Sequence, residues 1–418
     1  MKILYICSDT GIPILGRKGA SVHVRSLVAA LTRAGHSVVV TAPLLIKSPW
    51  EAPAKIEGEV LHLPADESVM GPVDTARRYT DALAPASTFP GELRRILYNQ
   101  QLEGKLLRRF KDAPPDFIYE RAALFGTVGA AVSRALRVPL VAELNAPLSL
   151  EQSTYRGSQL SELAGRAERH TLHAADRVLT VSPALRDYVI GVGVHPDRAV
   201  VMPNGIDATL FAPARGSETT RTRWGISSGP VLGFVGGLRP WHGVRAFAPL
   251  LERLVVRHPR LQLVIAGDGP LRGEIARELS SRRLDAHVVF TGALAHEDIP
   301  GLIRLFDVAL APYEEREHLF YFSPLKLFEY MGCGVPVVAA ALGQIEDVIH
   351  HDTNGLLYPP GDLDALTRHC ERLLDDAVLR GRLGRAAADT VHRRFTWAEN
   401  ARRVVELLER GAPSEVAV

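Results

Sequence analysis

The sequence predicts an α/β protein with two doubly wound domains, each built on a parallel β-sheet with helices on both faces. Short apolar, β-branched runs alternate with longer amphipathic stretches, which is the pattern of βαβ units. Runs such as PVLGFVG and LQLVIAG are apolar throughout, as expected of strands buried on both faces. The alternation occurs twice within 418 residues, a length that fits two or three domains.

The predicted elements fall into two series. The first has strands at 2–7, 36–42, 59–63, 116–120, 138–144, 177–182 and 199–202, with helices at 20–34, 91–111, 122–136 and 152–175. The second has strands at 230–236, 261–267, 287–291, 307–312 and 335–340, with helices at 244–258, 271–283, 297–306, 324–331 and two between 362 and 394.

A turn dipeptide, Asn204-Gly205, separates the two series. We therefore predict a first domain over 1–204 and a second over 205–395. The last helix, 397–410, follows a second series that is already complete. We expect this C-terminal segment, 396–418, to cross back to the first domain.

Composition narrows the class of protein. Apolar residues make up 46% of the chain and charged residues 23%, as in globular proteins with full cores. The net charge of +2 gives no overall basic field for nucleic acid. Three widely spaced cysteines argue against a disulfide framework or a zinc site. No apolar run reaches the roughly 18 residues of a membrane helix. We expect a cytoplasmic protein.

Loops at the carboxyl ends of parallel strands are where such folds bind ligands. The first loop, 16–21, is rich in small residues and leads into a helix, so it is either a flexible turn or an anion site built from backbone amides. The loop at 236–243 opens the second series in the same way. It carries Arg239, whose guanidinium suits phosphate.

The segment 321–338 is the most informative. Ser323-Pro324 predicts a helix start, with serine as the cap and proline at the first helical position. Lys326 then lies in the first turn, where the helix dipole makes a cation unfavourable by about 0.3–1 kcal/mol. Glu329 follows at i+3, and a surface pair of the two is too weak to explain this placement. A phosphate at Lys326, with Glu329 accepting hydrogen bonds from hydroxyl groups, explains both charges.

Other chemistries find less support. Gly267-Asp268-Gly269 follows a strand, but Pro270 occupies the turn, and no acidic residue ends the next strand as a dinucleotide site requires. No Ser/His/Asp order, HExxH or P-loop lysine is present, and no motif points to a pyridoxal lysine. We therefore expect no cofactor.

At this point the chain resembles glycosyltransferase family 4, the retaining enzymes of the two-Rossmann GT-B fold, with two domains facing a central cleft. The ordered matches are RKGASVHVRSL at 17–27, AADRVLTVSPAL at 174–185, VMPNGID at 201–207, FVGGLRPWHGV at 234–244, LVIAGDGP at 263–270, FTGAL at 290–294 and FSPLKLFEYMGCGVPVVA at 322–339.

The resemblance implies a nucleotide-sugar donor on the second domain, an acceptor on the first and a hinge near Asn204-Gly205. It implies that basic side chains neutralise the departing diphosphate without a metal. The implied catalytic residues are Arg239 and Lys326. The implied donor-binding residues are the amides of Gly19 and Ala20, His242, the backbone at Leu294 for the base, Ser323, Pro324, Leu325, and Glu329 for the ribose.

Two positions depart from the family pattern. Many relatives carry a glutamate eight residues before the ribose-binding one, where it helps to bind the donor sugar, and Tyr321 stands there in this chain. Many also carry lysine soon after the arginine, where this chain has His242. His242 either hydrogen-bonds phosphate while neutral or adds charge when protonated. The identity of the transferred sugar is therefore open.

Two features concern the acceptor. The segment 91–111 carries six basic residues against two acidic ones, which is either a solvated helix face or a surface for anionic lipid or a lipid-diphosphate acceptor. Glu143 and Asn145 follow a strand. They either position an acceptor hydroxyl or form a capped turn.

The sequence therefore predicts a retaining, metal-independent glycosyltransferase. We expect UDP-sugar as donor and a sugar, lipid-linked or small-molecule acceptor, in polysaccharide, glycolipid or other glycoconjugate synthesis. A sugar-nucleotide epimerase of the same fold and a non-catalytic sugar-nucleotide binder are the alternatives.

Overall fold

A computed structural model describes residues 1–47, 52–84, 86–315 and 320–409. The chain divides into two compact units, one comprising Met1–Pro203 with the segment from Ala398 onward and the other comprising Asn204–Trp397. Each unit is a parallel β-sheet with helices, so the predicted fold class is confirmed.

The first unit contains seven strands in the order β3-β2-β1-β4-β5-β6-β7, all parallel. The strands are β1 (Lys2–Cys7), β2 (Ser37–Ala42), β3 (Glu59–His62), β4 (Phe117–Arg121), β5 (Leu140–Leu144), β6 (Arg177–Thr180) and β7 (Ala199–Val201). The helices are α1 (Gly19–Arg33), α2 (Glu67–Leu83), α3 (Phe89–Phe110), α4 (Val128–Leu136), α5 (Leu148–Glu151), α6 (Ser161–Ala174) and α7 (Pro183–Gly191).

The second unit contains six parallel strands in the order β10-β9-β8-β11-β12-β13. The strands are β8 (Val231–Val235), β9 (Gln262–Ala266), β10 (Val288–Gly292), β11 (Val308–Ala311), β12 (Val337–Ala340) and β13 (Leu356–Tyr358). The helices are α8 (Glu218–Trp224), α9 (Phe247–Arg257), α10 (Arg272–Ser281), α11 (Ile299–Ile303), α12 (Leu325–Gly332), α13 (Gln344–Val348), α14 (Leu363–Asp375) and α15 (Ala377–Arg394).

The apolar strands form the cores as their composition requires. Every residue of β4, β5 and β8 is buried, because helices cover both faces of a doubly wound sheet. Several helices contribute one apolar face. In α9 this face consists of Phe247, Leu250, Leu251 and Leu254, at the i, i+3, i+4, i+7 spacing of an amphipathic helix.

The last helix, α16 (Trp397–Glu409), is tied to the end of β7 in the first unit. Asn400 Nδ2 donates to the Pro203 carbonyl at 2.9 Å, and Arg403 donates to the Val201 carbonyl at 3.2 Å. Among the described residues, no helix is both long enough and apolar enough to cross a bilayer.

Several elements differ from the sequence-based expectation. The sequence patterns did not predict the short helices α5, α8 and α13, nor α2, α7 and β13. In α2 only Val69 and Val73 are buried, so its apolar periodicity is weak, and β13 has only three residues. The start of α7 was detectable, since Ser182 Oγ accepts from the Leu185 amide before a proline at the first helical position.

Two predicted helices were too long. The one expected over 152–175 is interrupted at Gly157, whose φ of 73° favours glycine. A π-helical turn, Gln152–Arg156, lies before this break and α6 after it. The helix expected from 122 begins only at Val128, because residues 123–126 form a turn in which the Gly126 amide donates to the Ala123 carbonyl.

Glu120 is a fully buried acid on β4 beneath the start of α4. One carboxyl oxygen accepts from the Gly129 amide at 3.3 Å, and a Cβ on Gly129 would lie 2.2 Å from the other oxygen. Burial raises the pKa of Glu120 from 4.5 to about 7. The carboxyl group therefore keeps its proton in the folded protein at pH values where it ionises in the unfolded chain.

This difference makes the unfolding free energy decrease as the pH rises. Between pH 4.5 and 7 the unfolded chain releases the Glu120 proton while the folded chain retains it, a loss of about 3 kcal/mol in unfolding free energy. We expect Glu120→Gln, an isostere of the protonated acid, to lack this decline and to be the more stable protein at pH 8. Urea unfolding of the wild type and of Glu120→Gln from pH 4 to 8 measures this pH dependence. Parallel pH profiles would contradict the assignment.

Candidate active site

The donor-side residues predicted from sequence lie around the point where the strand order of the second unit reverses. β8 lies between β9 and β11. The connections that follow β8 and β11 therefore run in opposite directions along the sheet and cover opposite faces. Such switch points form a crevice at the carboxyl edge. The loop after β8 carries Arg239 and His242, and the segment after β11 leads into α12, which carries Lys326 and Glu329.

Lys326 is a buried ammonium group at this crevice. Its side chain crosses the face of Phe234, with Nζ 4.1 Å from the ring centroid and 5.3 Å from that of Tyr313. A Cβ on Gly236 would lie 2.7 Å from Nζ, so glycine is what allows the approach. Within the described ranges, Nζ has no hydrogen-bond acceptor.

Burial lowers the pKa of Lys326 from 10.5 to about 7, although Glu329 opposes the shift. Ring faces attract a cation but do not replace the hydrogen bonds that an ammonium group makes in water. When protonated, Lys326 therefore presents three N–H donors that have no acceptor among the described residues. An anion placed there would restore the charge and the hydrogen bonds together.

Arg239 lies on the loop after β8 and is exposed. Its guanidinium carbon is 5.5 Å from the centroid of the Trp241 ring, a cation–π contact that orients the side chain. No ion pair of Arg239 exists within the part of the chain that the structure describes. Its planar fork of donors is thus available to phosphate oxygens.

His242 is held neutral. Burial, and then the charge of Lys326, lower the pKa of His242 to about 3. Its Nδ1 donates to the Gly237 carbonyl at 2.5 Å, which leaves Nε2 as an acceptor. In this state the imidazole cannot donate to a phosphate. Its observed contacts instead fix the loop, through Gly237 and the rings of Phe234 and Tyr313.

The predicted helix cap at Ser323 was wrong. α12 begins at Leu325, and Pro324, at its N-cap position, is extended and provides no side-chain cap. Ser323 Oγ instead accepts from the Asn204 amide at 2.9 Å, while Asn204 Nδ2 donates to the Ser323 carbonyl at 2.6 Å. The hydroxyl is therefore already used to fix Asn204, the first residue of the second unit.

Glu329 is buried and does not pair with Lys326. Its Oε1 lies 2.8 Å from Nε2 of His296, which follows β10. Both Lys326 and Glu329 are over 90% buried, so the alternative of a solvent-exposed surface pair is wrong. Leu294, two residues before His296, is half-buried against the core. Glu329 and the loop around Leu294 are thus brought together through His296.

Tyr321 stands where many relatives carry a sugar-binding glutamate. It is only 5% exposed, and its ring lies 4.5 Å from that of Phe322. Phe320 continues this aromatic group toward Tyr313, with ring centroids 5.3 Å apart. Aromatic side chains therefore occupy the segment that leads into α12.

The first unit has a comparable edge at the start of α1. The helix begins at Gly19, and the amides of Gly19 and Ala20 lie in its first turn, where a helix has no internal acceptor for them. Arg25 holds the preceding loop, since its guanidinium donates to the carbonyls of Ile14 at 2.8 Å and Gly16 at 2.6 Å.

Glu143 belongs to a buried charge network. His23 Nε2 lies 2.7 Å from one of its oxygens, and Arg121 donates to the other at 3.4 Å. Burial alone would raise the pKa of Glu143, but His23 and Arg121 hold it at about 2. Glu143 thus lies in a buried ion network, and its contact with an acceptor stays a prediction. Asn145, two residues on, is half-buried.

The basic segment 91–111 does not form one free face. It belongs to α3, where Glu92 is fully buried and accepts from the amides of Gln159 and Leu160 at 3.2 Å. Arg94 donates to Thr10 Oγ1, and Lys105 pairs with Asp66. Arg108 and Arg109, in the last turn, remain exposed.

Sequence reasoning missed five residues that shape these sites: His23, Arg25, Arg121, His296 and Tyr313. Arg121 directly follows a predicted strand, so the carboxyl-edge rule that selected Glu143 would have found it. His296 lies in the loop already assigned to the base. No pattern in the sequence distinguishes Arg25 or Tyr313, because their roles depend on contacts between distant segments.

Comparison with known proteins agrees with this architecture. A family model described as Glycosyltransferase Family 4 matches residues 17–210, and one described as Glycosyl transferases group 1 matches residues 229–376. The alpha-D-kanosaminyltransferase of Streptomyces kanamyceticus is 31% identical over 62% of this chain and 67% of its own. A GDP-mannose-dependent alpha-mannosyltransferase of Mycobacterium tuberculosis is 30% identical over 72% of this chain and 71% of its own.

A solved structure shares the fold at low identity. The Anabaena protein Alr3699/HepE, crystallised with UDP and glucose, superposes with a TM-score of 0.70 at 23% identity, covering 98% of this chain and 100% of its own. The two family matches lie one in each series of elements, and the two relatives are glycosyltransferases. This chain therefore belongs to glycosyltransferase family 4 and is a nucleotide-sugar-dependent glycosyltransferase of the GT-B fold.

Proposed function

We propose that this enzyme transfers a sugar from a UDP-sugar to an acceptor hydroxyl with retention of the anomeric configuration. The observation that carries the proposal is the Lys326 ammonium, which is buried and lacks an acceptor among the described residues. A diphosphate supplies the missing acceptors, and it gains charge as the sugar leaves. Lys326 thus stabilises the transition state more than the ground state.

The proposed chemistry needs no protein carboxylate as a base. The bond between the sugar C1 and the β-phosphate oxygen breaks, and the acceptor oxygen bonds to C1 on the same face. The acceptor proton passes to the departing phosphate. This route fits Glu143, which ion partners already occupy. Lys326 and Arg239 neutralise the leaving diphosphate, the role that a metal ion plays in other transferases.

Several contacts complete the donor site in this proposal. Glu329 accepts from the ribose hydroxyls, and the backbone at Leu294 contacts the base. Ser323, Pro324 and Leu325 place the first-turn amides of α12 near the diphosphate. Uridine is our choice of base because HepE was crystallised with UDP, whereas the mycobacterial relative is named for GDP-mannose.

On the first unit we propose Asn145 as a contact for the acceptor hydroxyl and the amides of Gly19 and Ala20 as further anion donors. The acceptor belongs to the sugar, glycolipid or small-molecule class. For a lipid-linked acceptor the proposal extends to a contact of anionic lipid with Arg108 and Arg109, the exposed end of the basic segment.

Removing either cation should slow the reaction. We expect Lys326→Ala and Arg239→Ala each to lower kcat by roughly 10²–10³ with UDP-sugar, because each loses charge stabilisation of the leaving group. Arg245→Ala is the matched control, since this exposed arginine pairs with Glu274. Turnover is measured with and without acceptor across a donor panel, and sugar conversion without acceptor would indicate epimerisation. Unchanged turnover of Lys326→Ala would refute the proposed role.

The buried charge of Lys326 should also lower the unfolding free energy of the protein. Lys326→Met removes a buried charge but keeps the side-chain volume, so we expect an increase in unfolding free energy of about 1–4 kcal/mol at pH 6, together with loss of transfer. The gain should shrink as the pH rises from 7 toward 10.5, because the folded lysine is then already neutral. Urea unfolding at pH 6 and 9 measures both effects. A less stable variant at pH 6 would contradict the account.

Stereochemistry tests the retaining mode. We expect the product of an α-linked UDP-sugar to be an α-glycoside, with no loss of rate in EDTA. Proton NMR of the anomeric signal during the first turnovers measures the configuration. A β-linked product would show inversion and would require a carboxylate base that the proposal omits.

A further inference from the structure

His296 contacts Glu329, an acidic side chain of the proposed donor site, and its role is not explained by the reaction alone. It lies in the loop after β10, at the carboxyl edge of the second sheet. Its Nε2 is 2.8 Å from Oε1 of Glu329. The side chains of His296 and Glu329 are 23% and 9% exposed, so this hydrogen bond is partly shielded from water.

The direction of this hydrogen bond follows from the chemistry of its atoms. A carboxylate only accepts, so Nε2 of His296 carries the proton and donates. A hydrogen bond to a charged group is stronger than one between neutral groups. Oε1 is therefore restrained, and the plane of the carboxylate is fixed relative to α12.

A second contact fixes the imidazole itself. The ring of His296 lies 5.3 Å from that of Phe211 at an angle of 48°. Phe211 is 1% exposed and belongs to the core of the second unit. The donor is thus placed by packing, which is the arrangement expected of a residue that orients another rather than one that reacts.

We propose that His296 is a positioning residue that orients Glu329 toward the ribose hydroxyls of the donor nucleotide. This inference rests on the role proposed above for Glu329. His296 occupies Oε1, and the remaining acceptor positions of the carboxylate are left for the 2′- and 3′-hydroxyls. The preference of the enzyme for a ribonucleotide then depends on His296 as well as on Glu329.

Two substitutions separate the hydrogen bond from the packing. His296→Phe keeps a ring against Phe211 but removes the donor. His296→Gln loses the ring but places an amide N–H near the position of Nε2. His287→Phe is the control, because His287 at the opposite end of β10 bonds the Leu261 carbonyl and faces no donor residue of the proposed site.

The readout is the affinity of each purified full-length protein for UDP and for 2′,3′-dideoxy-UDP, measured by calorimetry. We expect wild type to prefer UDP, His296→Phe to bind UDP roughly tenfold more weakly, and all proteins to bind the dideoxy compound equally. His296→Gln should recover most of the preference, and His287→Phe should retain it fully.

The outcomes distinguish this inference from the function on which it rests. If wild type binds UDP but does not prefer it over the dideoxy compound, the ribose role of Glu329 fails, and with it the role of His296. If wild type discriminates and His296→Phe discriminates equally well, only the role of His296 is overturned. If His296→Phe weakens both ligands equally, His296 is a structural residue and the proposal is also overturned.

Discussion

The site depends on the close approach of the Lys326 side chain to Gly236 at the switch point of the second sheet. Tyr330, one turn further along α12, makes this approach rigid, because its hydroxyl accepts from the Val235 amide at 2.6 Å. The helix is thereby fixed to the end of β8, and the ammonium group is enclosed by Phe234, Tyr313 and the glycine backbone. Such a group is unfavourable in the empty protein. We propose that an anion bound there removes this unfavourable free energy, so that the site favours a diphosphate that gains charge during the reaction.

The two units treat buried charge in opposite ways. In the first, both His23 and Arg121 contact the Glu143 carboxylate. In the second, the Glu329 carboxylate accepts a hydrogen bond from His296 and forms no ion pair with Lys326, three residues before it. A satisfied network stabilises an edge of the sheet, whereas an unsatisfied cation creates a binding site. We propose that the cluster of the second unit is the one that binds a ligand, because its cation has no acceptor among the described residues.

The sequence predicted the sheets well because strands buried on both faces are continuous apolar runs, and the alternation with helices specifies parallel connections. It also selected Arg239, Lys326 and Glu329 from their positions after strands and at a helix start. It failed where the decisive contact is tertiary. Ser323 has the local pattern of a cap, yet the Asn204 amide takes its hydroxyl. Glu143 was selected from its place at a strand end, but its pairing with His23, about 120 residues away in sequence, has no local pattern. The weakly amphipathic α2 was missed because helix propensity without a strong apolar face gives little pattern.

We propose that a diphosphate supplies the negative charge and the hydrogen-bond acceptors that Lys326 lacks among the described residues. The most direct measurement is NMR of the lysine side-chain methylene adjacent to Nζ across a pH titration, assigned by the signal lost in Lys326→Met. We predict that the pKa of Lys326 is about 7 in the free enzyme. When UDP is bound, we expect this pKa to rise by roughly two units, to above 9. A pKa near 10.5 in the free enzyme, or a value that UDP leaves unchanged, would contradict it.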